Sequence, residues 1–449
     1  MTSVMWYRRD LRTADNPALL EAAVAGQGEV VPLFVWDRAL WRPAGPTRQR
    51  YLAASVAALE ERLGAMQHRR GDPVEQVVSV ARAAGATSVH VSADFGPYGR
   101  RRDRAVERAL AQHGIALVRT GSPYAVSPGR VRNRAGDPYR VFTPFARAWR
   151  EHGWRQPPAA PRSVRFCTVL ADEPAYRTAA AEQVRLPAAG ERAARARWRR
   201  FVGTGLAEYD AARDRPDLDA TSRMSVHLKW GEIHPRTLLA DLARHRGPGA
   251  ARFRDELAWR EFYADVLWHR PDSARDYYRP ELAGMQYDEP AACFRAWQEG
   301  RTGFPIVDAG MRQLRLEGWM HNRVRMLVAS FLVKDLHVEW QHGARHFLHW
   351  LVDGDLASNQ HGWQWVAGTG TDAAPWFRVF NPTAQGRRWD PEGQYVRRHV
   401  SELREVPTEL VHEPWRLPDG PPAGYPLPIV EHAEERAEAL RRYEAGRRR

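Results

Sequence analysis

Along the first third of the chain, short apolar runs alternate with segments whose apolar residues recur every three or four positions. SVMWYRR (3–9), EVVPLFVWD (29–37), SVHVSAD (88–94) and ALVRT (116–120) carry the strand pattern. PALLEAAVAG (17–26), RQRYLAASVAALEERLGAM (48–66), PVEQVVSVARAAG (73–85) and RRRDRAVERALAQHG (100–114) carry the helical one. Continuous apolar strands separated by helices predict a parallel sheet covered on both faces, a Rossmann-like α/β domain over residues 1–130. No G-x-G-x-x-G follows the first strand and no Walker A loop occurs, so those two modes of phosphate binding are not indicated. Residues 131–190 are rich in Pro, Ala and Arg with weak periodicity, which predicts a surface-wrapping linker. From 191 to 430 the strand pattern fades. ERAARARWRRFV, FRDELAWREFYADVLW, PIVDAGMRQLRLEG, RVRMLVASFLVKDL and ARHFLHWLVDG follow one another with Pro or Gly punctuation, predicting an all-α domain. The end, 431–449, reads as an exposed, partly helical basic tail.

The helical half holds 13 of the 18 tryptophans, and its chemistry concentrates between Gly318 and Trp376. RVRMLVASFLVKDL is apolar nearly all round and should be buried. Arg323 and Arg325 open it, beside Trp319 and Asn322. Buried arginines need acidic partners, and Asp353 and Asp355 are the candidates, in a structural ion-pair network or around a ligand. In HGWQW, Trp363 and Trp365 are two apart, about 200° of helical rotation, so their rings face nearly opposite ways. DATSRMS (219–225) crowds hydroxyls and N–H groups before a helix, as an N-cap or an anion-binding turn. DELAWREFY sets Glu256, Trp259, Arg260 and Glu261 on one helix, as a solvated pair or as a carboxylate beside a stacking ring. His342, His346 and His349 share a helical face without a suitably spaced carboxylate or cysteine, so no metal site is expected.

The 449 residues carry a net charge of +13, which points to a polyanionic partner such as nucleic acid. Lys229 and Lys334 are the only lysines, so the excess is arginine. With two cysteines, Cys167 and Cys293, no disulfide framework is available and a reducing compartment fits. MTSVMWYRRD lacks the apolar core of a signal peptide, and no run approaches the ~20 apolar residues of a membrane span. The expectation is a monomeric, cytoplasmic protein.

Taken together, WYRRDLRTADNPAL, TGFPIVDAGMRQL, GWMHNRVRM, ASFLVKDL, DGDLASNQHGWQW, GTGTDAAPWFRVFNP and GQYVRRHV make the chain resemble the photolyase/cryptochrome superfamily. The likeness is greatest to bacterial class I enzymes that repair cyclobutane pyrimidine dimers in DNA. The resemblance implies an α/β antenna domain, a linker and a helical domain holding U-shaped FAD. Matching the family's flavin contacts are Tyr209, Thr221, Ser222, Arg223, Met224, Ser225, Phe253, Glu256, Arg260, Trp319, Asn322, Arg325, Asp353, Asp355 and Asn359. The TSRMS turn would cradle the diphosphate, and Asn359 would face the flavin N5. A dimer flipped out of the duplex would be lined by Glu256, Trp259, Asn322, Met326 and Trp365. Arg213, Arg323 and Arg378 match contacts to the DNA backbone. In the family, excited FADH⁻ lends an electron to the dimer, the ring splits and the electron returns. Trp363 and Trp340 match the inner and middle members of a tryptophan chain that re-reduces the flavin. The outer member is aligned with Tyr287, leaving Tyr287 or Trp297 for that step. Asn322 and Met326 favour cyclobutane dimers over (6-4) products.

For the antenna chromophore, Tyr98 and Gly99 stand where a folate-binding member has Asn-Glu. Phe34, Asp37, Arg48 and Asp94 resemble the arrangement that binds 8-hydroxy-5-deazaflavin, with an empty site or a second flavin as alternatives. The rival reading is a cryptochrome photoreceptor without repair activity. The short segment after Trp415 leaves little room for a signalling extension, and Asn359 and the dimer-lining residues are retained. A third reading, an arginine-rich nucleic-acid binder without chemistry, leaves the buried polar set unexplained.

Overall fold

The computed structural model of the chain describes residues 2–178, 184–290, 292–371 and 378–447. They form two compact units. Unit 1 comprises Met1–Ala181, Leu186–Ala207 and Ser222–Pro271, and unit 2 comprises Glu182–Arg185, Glu208–Thr221 and Asp272–Arg449.

Unit 1 is built on a parallel sheet. Its strands are β1 (Ser3–Tyr7), β2 (Glu29–Asp37), β3 (Gln67–Gly71), β4 (Ser88–Val91), β5 (Ala116–Arg119) and β6 (Arg165–Phe166), in the order β3-β2-β1-β4-β5 with β6 also on β2. β1, β4 and nearly all of β2 are buried, which is why they read as unbroken apolar runs. β3, Gln-His-Arg-Arg-Gly, escaped the sequence reading because an edge strand has a solvent side and needs no apolar run. Five helices cover the sheet: α1 (Pro17–Ala25), α2 (Arg38–Trp41), α3 (Pro46–Leu63), α4 (Pro73–Ala83) and α5 (Pro97–Ala111). Four of them start on proline, whose preset φ and missing N–H suit a first helical turn.

The expected linker is not featureless. It contains α6 (Phe142–His152), which buries Phe145, Ala146 and Trp149, and it contributes β6, whose Arg165 pairs with Glu29 at 2.8 Å. The apolar residues of FTPFARAWREH recur at helical spacing, a signal masked by the prolines around it. α7 (Glu191–Thr204) follows. After α8 (Tyr209–Ala212), which belongs to unit 2, come α9 (Ser225–Trp230), α10 (Pro235–Leu242) and α11 (Pro248–His269). α7, α9, α10 and α11 are therefore compact with the sheet, so the division does not fall at the expected boundaries of 130 and 190. The cause is burial: Glu261 on α11 accepts hydrogen bonds from Ala125 N, Val126 N and Trp149 Nε1, and Tyr51 on α3 donates to Glu232 at 2.9 Å.

The rest of unit 2 is helical: α12 (Ala292–Glu299), α13 (Pro305–Glu317), α14 (Asn322–Lys334), α15 (Trp340–Trp350), α16 (Leu356–Ala367), α17 (Pro382–Trp389), α18 (Gln394–His399) and α19 (His432–Arg447). α14 is buried as its sequence requires, and its side chains share one core with Trp297, Trp340, Phe347 and Trp363. The C-terminal segment is helical and mostly exposed or half-buried, and α19 is anchored as well. His432 bonds Asp335 at 2.5 Å, Glu435 bonds His337 at 2.7 Å, and Arg442 pairs with Asp288 at 2.8 Å. The basic composition hid these alternating anchors.

Candidate functional site

In unit 1, Ser222, Arg223 and Met224 lead by a tight turn into α9. Arg223 takes a left-handed φ of 51°, a conformation costly for a side chain of its size. The Ser222 hydroxyl accepts from Met224 N at 3.2 Å, while the residue that begins the helix, Met224, supplies no side-chain cap. Arg197 holds the Ser222 carbonyl at 2.6 Å. On α11, Phe253 is buried against Trp198 and Phe201, with centroids at 5.2 and 5.3 Å. Glu256, Trp259 and Arg260 are half-buried. Arg260 spans two segments, donating to Pro123 O at 3.0 Å and Leu228 O at 3.4 Å, and lies 4.6 Å from the Tyr124 ring. Glu261 is different: burial pushes its carboxyl up to about 7 against its three N–H donors.

In unit 2, Arg325 donates to both carboxylate oxygens of Asp353, at 3.2 and 2.9 Å, and to Met320 O at 2.8 Å. This is the ion pair expected for the arginine opening α14. The Asp353 side chain is almost wholly buried and that of Arg325 a quarter exposed. Trp319 lies 6.0 Å from the Arg325 guanidinium. Asp355 caps α16, accepting from Ala357 N and Ser358 N at 3.1 and 3.3 Å. One turn later Asn359 is 9% exposed and donates through Nδ2 to Ala344 O at 3.1 Å and Gln360 Oε1 at 2.8 Å. Both bonds use the amide nitrogen, which turns Oδ1 away from the α15 backbone. Tyr209 is buried at the start of α8, and Asn322 is exposed at the start of α14, where His321 provides the cap. Met326 and Trp365 are half-buried.

The arginines expected on DNA divide into two kinds. Arg323 pairs with Asp214 at 2.9 Å and lies 4.6 Å from the Trp389 ring, and Arg213 reaches the same Asp214 at 3.8 Å. Part of their charge is thus offset within the protein. Arg378 is exposed, and its carbonyl is held by the buried amine of Lys334. Burial pushes that amine down to about 7.

Trp297, Trp340 and Trp363 share one core, with Tyr287 packed against it. Trp363 is buried, with Phe347 at 5.0 Å and Trp297 at 6.2 Å, both edge-on. Trp340 is fully buried and meets Tyr277 at 6.3 Å. Tyr277 donates to Glu339 at 2.5 Å and lies beside Tyr287; burial raises both phenols well above their usual range. Trp297, rather than Tyr287, touches the inner ring. Gly343, overlooked in the sequence, faces the Trp363 ring. A glycine inside a helical pattern was the available signal.

Among the antenna candidates, Asp37 caps α2 through Ala39 N at 2.9 Å and accepts from the Tyr98 hydroxyl at 2.6 Å. Asp94 pairs with Arg102 at 3.3 Å. Burial alone would raise the Asp94 carboxyl, but Arg102, Arg9 and Arg8 outweigh it and hold it below the usual range. Phe34 is buried, 4.8 Å from Trp36, and Arg48 lies 5.6 Å from the Trp230 ring. A Cβ at Gly99 would stand 2.2 Å from the Asp94 carboxylate, so a side chain there would require the Asp94 side chain to move.

Two family models match the chain: DNA photolyase over residues 3–162, and the FAD binding domain of DNA photolyase over residues 253–445. The chain belongs to the DNA photolyase family. It is 44% identical to a deoxyribodipyrimidine photo-lyase of Streptomyces griseus, covering 97% of each chain. A solved bacterial class III photolyase from Agrobacterium tumefaciens superposes with a TM-score of 0.92 at 34% identity, covering 100% of this chain and 98% of that one. An archaeal photolyase from Sulfolobus tokodaii, solved with two FAD molecules, gives 0.84 at 29% identity over 99% and 100%.

Proposed function

We infer that this photolyase is a deoxyribodipyrimidine photo-lyase, repairing cyclobutane pyrimidine dimers in DNA by light-driven electron transfer from bound FAD. One observation carries the reading: unit 2 buries Asp353, Asp355 and Asn359 with a half-buried arginine, in a chain matching named photo-lyases along its whole length. The residues present fit the cofactor. In unit 1 the uncapped start of α9, with Ser222, Arg223, Met224 and Ser225, offers N–H groups to a diphosphate. Phe253, Glu256 and Arg260 of the same unit match further flavin contacts of the family. In unit 2, Tyr209, Thr221, Trp319, Asn322, Arg325, Asp353, Asp355 and Asn359 would hold the isoalloxazine and the remaining polar atoms. When bound and reduced, FAD supplies a photoexcitable electron donor, and the organic chemistry is its own.

The protein's part is placement and polarity. The Arg325–Asp353 pair keeps a fixed dipole where charge changes. Asn359, whose Nδ2 donates to Ala344 O, would present its Oδ1 as an acceptor for an N–H donor. Within unit 1, Trp259 would offer a stacking surface and Glu256 a base-edge partner to a flipped dimer; within unit 2, Trp365 would offer a stacking surface, Asn322 a base-edge partner and Met326 apolar bulk. Arg378 contacts the phosphate backbone, while Arg213 and Arg323 do so with the share of charge that Asp214 leaves. Trp363 passes electrons inward. Its ring contact with Trp297 supports Trp297 as a relay beside Trp340, and Tyr287 serves through Tyr277. A dimer-containing oligonucleotide, incubated with the protein and reductant in the dark and under blue light, tests the reading. Light-dependent loss of dimers is expected. Flavin bleaching without dimer loss would identify a photoreceptor instead.

We also propose 8-hydroxy-5-deazaflavin as antenna, in the site carrying Phe34, Asp37, Arg48 and Asp94. Tyr98 and Gly99, standing where a folate-binding member has Asn-Glu, support it over folate. A second flavin is the alternative, since the Sulfolobus tokodaii structure contains two FAD molecules. Protein purified from a deazaflavin-producing host should absorb beyond FAD; the absence of added absorbance would count against the assignment. The chain acts as a cytoplasmic monomer, and none of the described helices is long and apolar enough to cross a membrane.

A further inference from the structure

Trp259 on α11 does not stand alone. The ring of Phe142, the first residue of α6, lies flat against it, with centroids 3.6 Å apart and planes within 5°. Aromatic pairs usually prefer offset or edge-on packing, so a full-face stack must be imposed by its surroundings. The surroundings do so. Phe262 meets Trp259 edge-on at 5.8 Å and Phe142 edge-on at 6.0 Å, and Tyr263 leans on Trp259 at 5.4 Å. Phe145, one turn along α6, packs on Phe262 at 5.2 Å and anchors the helix to α11. Phe142 and Trp259 are both half-buried, so the stack stands at the edge of this cluster rather than in its core.

We propose that Phe142 is a positioning residue for dimer recognition. It occupies one face of Trp259 and sets the ring's plane, so that the opposite face is presented to a flipped pyrimidine. This rests on the reading of Trp259 as a stacking surface. A ring already held on one face loses little freedom when a base arrives on the other, and that preorganisation adds affinity without any new contact to the ligand. Removing Phe142 frees Trp259 to rotate, and the lost aromatic pair corresponds to a roughly two- to tenfold weaker complex. The effect should be confined to flipped bases, because undamaged duplex is bound through phosphates.

The test measures dark affinities of the flavin-loaded protein for a dimer-containing oligonucleotide and its undamaged counterpart. The proteins are the wild type, Phe142→Ala, Phe142→Tyr, Trp259→Ala and the double Ala variant. Phe142→Ala should weaken the dimer complex about two- to tenfold, leave undamaged DNA unchanged, and be rescued by Phe142→Tyr. The double variant should be no weaker than Trp259→Ala alone, since Phe142 acts only through that ring. Additive losses, or equal weakening of both DNAs, would overturn the proposal. If Trp259→Ala itself leaves dimer affinity intact, the reading of Trp259 fails and this inference with it. Should Phe142→Ala fold poorly, Phe142→Leu replaces it, because it keeps bulk and removes the flat face.

Discussion

Gly343 lies in the middle of α15, where glycine costs helix stability, and its reason is the Trp363 ring. A Cβ at 343 would stand 2.1 Å from Trp363 Cη2, 2.5 Å from Cζ3 and 2.6 Å from Leu332 Cδ2. Carbon atoms need about 3.5 Å, so Gly343→Ala must displace the ring by roughly 1.5 Å. Phe347 and Trp297 already enclose that ring. Overpacking of this kind costs about 1–3 kcal/mol, against about 1 kcal/mol returned by alanine's better helix propensity. A net destabilisation of about 0–2 kcal/mol is expected. Light-driven reduction of the oxidised flavin should slow as well, because Trp363 leaves its position. The assay is thermal unfolding together with flavin absorbance under blue light with reductant. Gly362→Ala is the control: a Cβ there meets nothing within 4 Å, so it should stabilise α16 slightly and leave photoreduction alone. If Gly343→Ala raises Tm as Gly362→Ala does, with unchanged photoreduction, the packing argument is wrong.

Other expectations follow from the same geometry. Trp363→Phe should abolish most photoreduction, and Trp297→Phe should slow it more than Tyr287→Phe, while repair by chemically pre-reduced protein stays normal; the reverse order would restore Tyr287 as the main outer donor. Glu261 carries a folded-state pKa of about 7 against 4.5 when unfolded, so folding is favoured by its protonation. That contribution is complete below pH 4.5 and is lost as pH rises through 7, about 3 kcal/mol in all. Denaturant titrations from pH 5 to pH 9 should show the fall in wild type, and an equal fall in Glu261→Gln would refute the assignment. Arg378→Ala should weaken damaged and undamaged DNA alike and lower the salt slope by about one, whereas Arg213→Ala, whose guanidinium reaches Asp214, should lower it less.

Much was determined by local sequence. Unbroken apolar strands fixed between proline-started helices announce a covered parallel sheet, because both faces of such strands are buried. RVRMLVASFLVKDL announces a buried helix, and its arginine required the carboxylate that Asp353 provides. The TSRMS, DGD and HGWQW motifs stood out in the sequence, but their assignment to a cofactor came from family resemblance and not from spacing. Other features depended on partners distant in the chain. β3 and β6 are edge strands and need no apolar run. His432 and Glu435 of α19 meet Asp335 and His337, about a hundred positions away. Phe142 meets Trp259, Arg323 meets Asp214 and Trp297 meets Trp363 only once the helices pack. Periodicity reports which face of an element is buried; the tertiary structure alone decides against what, because contact depends on where the chain returns in space.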